Sequence, residues 1–293
     1  MNAETVELVY LNDATLGECP RWHKDTQTLY WVDIHKNTLF AYQLEKRVCR
    51  SRRFDFKTAA FGLTAEGSFV LSSDQGFYFL SDLQGEVQFL GNPEAELSGN
   101  RFNDGAVDRL GRFVIGSLGD EQSPTGQLHS LNFEQSQQSR VLARGFKITN
   151  GLAFSPDDQF LYFTDTPSRR VVRYRYDLAS GSIDQPSTFY QFDPQDGYPD
   201  GAAVDAEGNY WIAMYGGSKI VGIRPDGRRL MDIPLPVSQP TMVCFGGDDF
   251  QTLYITSASQ GLTPTQLEAE PLAGSVLAVR SNYVGNPGYS VSV

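Results

Sequence analysis

The segment “VDAEGNYWIAM” (204–214) begins with an apolar residue, continues through a polar turn and ends in a run of aromatic and aliphatic residues. Turn residues between two apolar segments are typical of a β-hairpin. The segments “VDRLGRFVIGS” (107–117) and “FSPDDQFLYFT” (154–164) have the same pattern. Three copies in one chain indicate that the chain is built from a repeated structural unit.

Six copies of this pattern run through the chain. We take the apolar residue before each turn as an anchor, and successive anchors are 41 to 50 residues apart. The anchors are Trp22, Leu63, Val107, Phe154, Val204 and Phe245. A period of this length, with about four short strands in each unit, is typical of a β-propeller blade. The sequence therefore predicts an all-β fold, a six-bladed β-propeller with four-stranded blades.

The two ends of the chain are predicted to close the propeller. The apolar segment 6–11 is expected to pair with 274–280 in the last blade, because an open strand edge invites association. Residues 264–272 contain helix formers bracketed by prolines, so one or two helical turns at most are expected there. No flexible linker divides the chain, and we predict a single domain over residues 1–293.

The net charge of the chain limits the classes of partner that it is expected to bind. The formal net charge is −11 over 293 residues, which disfavours nucleic acid as a partner because phosphates require a basic face.

The sequence shows no sign of a membrane span or a secretory leader. It has no apolar run long enough to span a bilayer and no basic segment followed by an apolar one, so neither a membrane protein nor a secreted protein is expected. Three scattered cysteines suggest no disulfide framework. We expect a cytoplasmic protein that is a monomer or a weak homodimer.

A set of polar residues recurs in the repeat, four residues before each anchor. These positions are Glu18, Ala59, Asn103, Asn150, Asp200 and Thr241. In a propeller the innermost strands of all blades line the central channel, so equivalent positions are expected to converge at one end of it. Four of the six carry a carboxylate or amide oxygen. We call these six positions the polar register.

Converging carboxylates repel one another and are costly to desolvate, and a bound cation relieves both costs. Oxygen ligands from Glu, Asp and Asn favour Ca²⁺, Mg²⁺ or Mn²⁺, with Zn²⁺ as a further candidate. The alternative is that these residues only form turns, since “NG” at 150–151 and “DG” at 104–105 and 200–201 are turn pairs. Four oxygen donors in one register favour a site for one divalent cation.

The segments that carry the polar register resemble a known family. “LGECPRW” (16–22), “NRFNDGAVDRLGR” (100–112), “TNGLAFSPD” (149–157) and “YPDGAAVDAEGNYW” (198–211) are similar to motifs of the senescence marker protein / gluconolactonase / regucalcin family. The resemblance extends over essentially the full chain. It implies a six-bladed propeller that holds one divalent cation in the mouth of the channel and hydrolyses aldonolactones.

The resemblance also implies roles for single residues. The implied metal ligands are Glu18, Asn150 and Asp200. The implied substrate-binding residues are Arg101, Asn103 and Glu121, and Asp120 is left as an alternative to Glu121. Asn103 is thus assigned to the substrate, although the polar register placed it level with the ligands.

Opening a lactone requires a polarised carbonyl group, an activated water and protonation of the ring oxygen. A divalent cation polarises the carbonyl and lowers the pKa of a bound water. Asp200 is the predicted catalytic residue, which accepts a proton from the attacking water; direct attack by a hydroxide on the cation is the alternative. Arg101 would bind sugar hydroxyls or the developing oxyanion, while Asn103 and Glu121 would read hydroxyl stereochemistry.

The predicted function is a divalent-metal-dependent hydrolase that opens glucono-, L-arabinono- or galactonolactone to aldonic acids in sugar catabolism. One alternative is a non-catalytic calcium-binding propeller, which would not need substrate residues such as Arg101 and Asn103. The other is a propeller esterase or organophosphatase, which usually has a histidine near the metal. None of the three histidines falls in the polar register, and His129 is expected to be a packing residue.

Overall fold

The computed structural model describes residues 5–119, 123–133 and 136–293. In chain order the strands are β1 (Val6–Tyr10), β2 (Gly17–His23), β3 (Thr28–Asp33), β4 (Thr38–Gln43), β5 (Val48–Arg53), β6 (Thr58–Leu63), β7 (Phe69–Ser73), β8 (Gly76–Leu80), β9 (Val87–Gly91), β10 (Arg101–Val107), β11 (Phe113–Leu118), β12 (Gly126–Asn132), β13 (Ser136–Phe146), β14 (Thr149–Phe154), β15 (Phe160–Asp165), β16 (Arg170–Asp177), β17 (Ser182–Gln191), β18 (Tyr198–Val204), β19 (Tyr210–Tyr215), β20 (Lys219–Ile223), β21 (Arg229–Pro234), β22 (Pro240–Gly246), β23 (Thr252–Ser257) and β24 (Val276–Arg280).

These strands form six four-stranded antiparallel sheets. Five sheets contain consecutive strands: β2–β5, β6–β9, β10–β13, β14–β17 and β18–β21, which we call blades 1 to 5. Blade 6 has the order β1-β24-β23-β22. The predicted six-bladed β-propeller with four-stranded blades is therefore confirmed, and each anchor residue lies in the first strand of its own blade.

The N-terminal strand completes blade 6, as predicted. Val6 pairs with Val279 and Tyr10 with Val276, so β1 covers the open edge of β24. Residues Pro264–Ala269 form α1, which is the short helix expected in this region. Its N-cap is Thr263, whose side chain accepts the N–H of Gln266 in a capping box. No helix in the described part of the chain is long and apolar enough to cross a membrane.

The chain divides into two compact units. The first comprises Met1–Arg53 and Phe192–Pro287 and contains blades 1, 5 and 6; the second comprises Phe54–Gln191 and Gly288–Val293 and contains blades 2, 3 and 4. In the first unit β22 contacts both β2 and β18, and in the second unit β10 contacts both β6 and β14. Within each unit the first strands of the blades therefore lie next to one another.

Aromatic residues from the repeated strands fill the interior of each unit. In the first unit Trp31 stacks on Phe40 with ring centroids 5.0 Å apart. In the second unit Phe154 packs against Tyr176 at a centroid distance of 4.8 Å. Burial of one such side chain contributes about 1.5–3 kcal/mol, so the alternating aromatic pattern of the repeat supplies much of the core.

The aspartate that follows each of two anchors builds the polar turn. Asp205 is fully buried, and its Oδ1 accepts the backbone N–H groups of Glu207 and Asn209. Its Oδ2 accepts a hydrogen bond from Trp211 Nε1 at 2.9 Å. Asp108 forms the same kind of turn in blade 3. This carboxylate fixes the hairpin that gives the repeat its sequence signature.

A second buried carboxylate, Asp196, ties the connection before β18 to the outer strands of blade 5. Its Oδ1 accepts hydrogen bonds from Lys219 Nζ at 2.6 Å and Arg229 Nη2 at 2.9 Å. Burial raises the pKa of Asp196, but the hydrogen bonds from Arg229 and Lys219 outweigh burial and lower the pKa to about 2. The folded state therefore favours the ionised carboxylate.

Asp196→Asn is expected to lower the free energy of unfolding at pH 7 by about 3 kcal/mol, because two cations lose their buried partner. The folded-state pKa lies below the unfolded value of about 3.9, so this stabilisation is present above pH 4 and is lost as the pH falls towards 2. Urea unfolding at pH 7 and pH 3 tests this, since the gap between wild type and variant should narrow at pH 3. Asp226→Asn is the control, because Asp226 pairs with Arg228 in solvent and its loss should change nothing measurable. Equal stability of wild type and Asp196→Asn at pH 7 would refute the prediction.

Candidate active site

The first strand of every blade is irregular at an equivalent place. The pairing of β2 with β3 shifts between Glu18 and Arg21, and that of β14 with β15 shifts between Asn150 and Ala153. In the other blades the shifts lie between Thr58 and Ala60, Phe102 and Gly105, Pro199 and Ala202, and Pro240 and Met242. All six positions of the polar register lie at or inside these bulges. A bulge redirects the side chains of its strand, which is how an inner strand can aim a polar group.

In the first unit the bulges carry two carboxylates. Asp200 lies inside the bulge of β18 and is buried. Glu18 begins the bulge of β2, and its Oε2 accepts the backbone N–H of Cys19 at 2.9 Å. Cys19 has a φ of 51°, in the left-handed region that side chains rarely adopt, so the bulge imposes local strain. Cys19 is a buried free cysteine.

Tyr215, at the end of β19, shares this region with both carboxylates. Burial, together with the negative charges of Asp200 and Glu18, raises the pKa of its hydroxyl to about 12. The polar register did not include this residue because it ends the second strand of blade 5, whereas the register contains only first strands. Its pairing with Tyr198, next to the bulge of β18, is what places it there.

In the second unit three predicted site residues are joined by hydrogen bonds. Arg101 Nη1 donates to Asn103 Oδ1 at 2.7 Å, and Asn103 Nδ2 donates to Asn150 Oδ1 at 2.9 Å. Asn103 Nδ2 also donates to the carbonyl oxygen of Thr149 at 2.9 Å. Asn150 Nδ2 in turn donates to Thr166 Oγ1 at 2.9 Å. The structure therefore brings Arg101, Asn103 and Asn150 together.

This chain of hydrogen bonds orients the amide of Asn150, which is buried. Thr166 holds the nitrogen, so the oxygen is directed towards Asn103. An amide oxygen has two lone pairs, and the bond from Asn103 uses one of them. Thr166 begins the short 3₁₀ helix Thr166–Ser168 after β15, a position that no repeat pattern indicates. These two hydrogen bonds therefore satisfy and orient the amide of Asn150 within a buried strand.

The third predicted substrate residue has no described position. Glu121 and its alternative Asp120 both lie outside the described residues. The described chain ends at Gly119 on one side of them and resumes at Ser123 on the other. Their assignment to the substrate stays a prediction.

The predicted ligands fit a hard divalent cation by the chemistry of their donors. Glu18 and Asp200 supply carboxylates and Asn150 supplies an amide oxygen, which is the ligand type that Ca²⁺, Mg²⁺ and Mn²⁺ prefer. Asp200 is buried, and a bound cation would offset the cost of desolvating its carboxylate. Within the ranges that the structure describes, no three His, Cys, Asp or Glu side chains converge as a metal site. The predicted ligand set contains only two such residues, Glu18 and Asp200, because its third member is an asparagine.

Comparison with known proteins assigns the family. Residues 16–259 match the family model of the SMP-30/Gluconolactonase/LRE-like region. The chain belongs to this family. The resemblance that the four sequence motifs indicated is therefore confirmed, and the matched range includes every position of the polar register.

Relatives of this SMP-30/gluconolactonase family member cover its whole length. The 6-deoxy-6-sulfogluconolactonase of Pseudomonas putida is 38% identical over 288 residues, which are 96% of this chain and 97% of that protein. Regucalcin of Oryctolagus cuniculus is 30% identical over 298 aligned residues, with 99% of both chains covered. A crystal structure from Agrobacterium tumefaciens, described as a calcium-binding protein, regucalcin, has a TM-score of 0.94 at 24% identity and covers 99% of this chain and 98% of that chain. At that identity the likeness supports the fold alone.

Proposed function

We propose that this chain is a divalent-metal-dependent hydrolase that opens aldonolactones to aldonic acids. The observation that carries the proposal is the hydrogen-bonded chain of Arg101, Asn103 and Asn150 in a member of this family. A propeller that only stored calcium would not need a guanidinium group linked to its amide ligand. The lactonase name of the Pseudomonas relative supports the same reaction class.

We assign the cation to the ligands that the sequence predicts, Glu18, Asn150 and Asp200. When bound, it would act as a Lewis acid on the lactone carbonyl and would acidify a water molecule. Two carboxylates offset its charge, and the amide adds a neutral oxygen that Thr166 and Asn103 orient. Ca²⁺, Mg²⁺, Mn²⁺ and Zn²⁺ are the candidates.

Asp200, Arg101 and Asn103 have different roles in the proposed reaction. Asp200 accepts a proton from the attacking water as the oxygen of that water bonds to the carbonyl carbon. Asp200 then donates the proton to the ring oxygen as the ring C–O bond breaks. Arg101 donates hydrogen bonds to the carbonyl oxygen as negative charge develops there, or to adjacent hydroxyl groups. Asn103 holds Arg101 in place through its Oδ1 and thereby fixes the direction of the guanidinium group.

A panel of lactones tests the proposed function. The panel contains D-glucono-, L-arabinono- and D-galactonolactone together with a 6-sulfonated gluconolactone, because the Pseudomonas relative is named for the sulfonated compound. Acid release is followed with a pH indicator in the presence of each candidate cation. We expect turnover of at least one lactone and none of aryl esters or phosphotriesters. Cation binding without turnover of any lactone would support the calcium-binding alternative, and turnover of esters alone would support the esterase.

Asn150→Ala is expected to weaken the affinity for Mn²⁺ or Ca²⁺ about 100-fold, because it removes one of three oxygen ligands, and to leave the fold intact. Thr166→Val removes only the hydrogen bond that orients the amide and is expected to cost about tenfold. Titration calorimetry with each cation measures both affinities, and circular dichroism checks the fold. Wild-type affinity in a folded Asn150→Ala variant would remove Asn150 from the ligand set.

A further inference from the structure

Glu94 is a buried carboxylate in the connection between β9 and β10, to which the proposed mechanism assigns no role. Its Oε1 accepts hydrogen bonds from Ser117 Oγ on β11 and from His129 Nε2 on β12, each at 2.7 Å. Its Oε2 accepts a hydrogen bond from Asn100 Nδ2 at 2.8 Å. Three donors thus form hydrogen bonds to one buried carboxylate, and these bonds restrain its position.

Asn100 extends this arrangement to the loop that follows β11. Thr125 Oγ1 donates to Asn100 Oδ1 at 2.7 Å, and Asn100 Nδ2 also donates to the carbonyl oxygen of Thr125 at 3.2 Å. Gly119, at the other end of the loop, packs so closely that any side chain there would collide with Thr125 Oγ1 and Asn100 Oδ1. Gly119 and Thr125 therefore both lie against Asn100.

The same cluster adjoins Arg101 on β10. Asn100 immediately precedes Arg101, and the ring of His129 packs edge-on against Phe102 with centroids 5.8 Å apart. Glu94, Asn100 and Arg101 all line one cavity of about 130 Å³. The carboxylate of Glu94 therefore holds Asn100, which immediately precedes the strand that carries Arg101, and Asn100 also contacts Thr125.

We infer that Glu94 is a positioning residue for substrate recognition. By fixing Asn100, it sets the position of Arg101, the next residue along the chain. The inference rests on the proposed function, in which Arg101 binds the lactone. Errors of about 1 Å in the position of such a group weaken recognition strongly, so the cluster contributes to affinity without touching the substrate.

Glu94→Gln tests the inference with little change in volume. A glutamine has one acceptor oxygen and one NH₂ group. In one orientation of its amide the NH₂ group faces the donor of Asn100, and in the other it faces the donors of Ser117 and His129. We expect the KM for the lactone to rise roughly tenfold while kcat changes less than about twofold. Glu96→Gln, at an exposed position of the same connection, is the matched control and should behave as wild type. A wild-type KM in Glu94→Gln would overturn the inference.

A second variant and a second measurement separate positioning from folding and from the proposed function. Thr125→Val removes only the side-chain bond to Asn100 and should raise KM about threefold without lowering the stability of the fold. Hydrogen exchange should be faster at residues 98–102 and 123–126 in Glu94→Gln than in wild type, whether or not any lactone is hydrolysed. Unchanged exchange there would overturn the inference. Failure of wild type on the lactone panel would instead refute the proposed function.

Discussion

Asp200→Ala is expected to reduce lactone hydrolysis at least about 10³-fold and to weaken binding of the divalent cation. Two losses combine in this variant, because the buried carboxylate of β18 is both a proposed ligand and the proposed proton acceptor. The measurements are initial rates of acid release and calorimetric titration with Mn²⁺. Asp184→Ala, at an exposed position of β17, is the control and should retain wild-type rates. Near-wild-type activity of Asp200→Ala would refute the proposed mechanism.

Asp200→Asn separates the two roles of the carboxylate. The amide keeps an oxygen for the cation but cannot accept a proton at neutral pH, so the affinity for Mn²⁺ should fall by about tenfold. A positioned general base contributes 10²–10⁴ to the rate, and kcat should fall by that amount even at saturating Mn²⁺. If saturating cation instead restores most of the activity, Asp200 is a ligand only and the attacking group is activated by the cation.

Removal of the divalent cation is expected to abolish lactone hydrolysis and to destabilise the folded protein. Removal of the cation would take away a positive charge that offsets the desolvation and mutual repulsion of the carboxylates of Glu18 and Asp200. A cation present at 100 times its Kd stabilises the folded state by about 2.7 kcal/mol, so thermal unfolding should shift to lower temperature after chelation. Addition of Ca²⁺, Mg²⁺, Mn²⁺ or Zn²⁺ one at a time should restore both properties, and their order identifies the preferred ion.

The control for chelation is the Asn150→Ala protein, whose unfolding temperature should respond less to added cation because a ligand is missing. Unfolding reports on the cation independently of any substrate, so a wrong choice of lactone would not affect it. Wild-type activity and an unchanged unfolding temperature in protein shown by elemental analysis to be metal-free would contradict the metal assignment.

The fold was predictable because one hairpin pattern recurs at a blade-sized interval. The turn of blade 5 needs Asp205 to accept the N–H groups of Glu207 and Asn209, and that requirement is visible in the sequence as an aspartate beside the anchor. The closing strand was predictable because residues 6–11 form an apolar segment and an open edge of the last blade invites association. The pairing of Val6 with Val279 follows once the other strands are assigned to blades.

The site residues were predictable only where the repeat places them on the first strands of the blades. Asn103 and Asn150 share a register, and their hydrogen bond follows from the contact between β10 and β14. Tyr215 and Thr166 lie on a second strand and in a short 3₁₀ helix, where no period links them to the ligands. The cluster around Glu94 combines residues from the connection between β9 and β10 and from strands β11 and β12, and each member alone resembles an ordinary polar residue of a loop or strand.

The pairing of β1 with β24 determines when blade 6 can finish folding during synthesis. Strand β1 leaves the ribosome before every other strand of its blade, yet its partner ends only at Arg280. At 5–20 residues per second, residues 6–10 wait roughly 15 to 50 seconds before β24 emerges. Blades 1 to 5 are made of consecutive strands and can form in turn as they appear. Strand β1 is therefore made before the other strands of blade 6, and it cannot pair with β24 until residues 276–280 have been made.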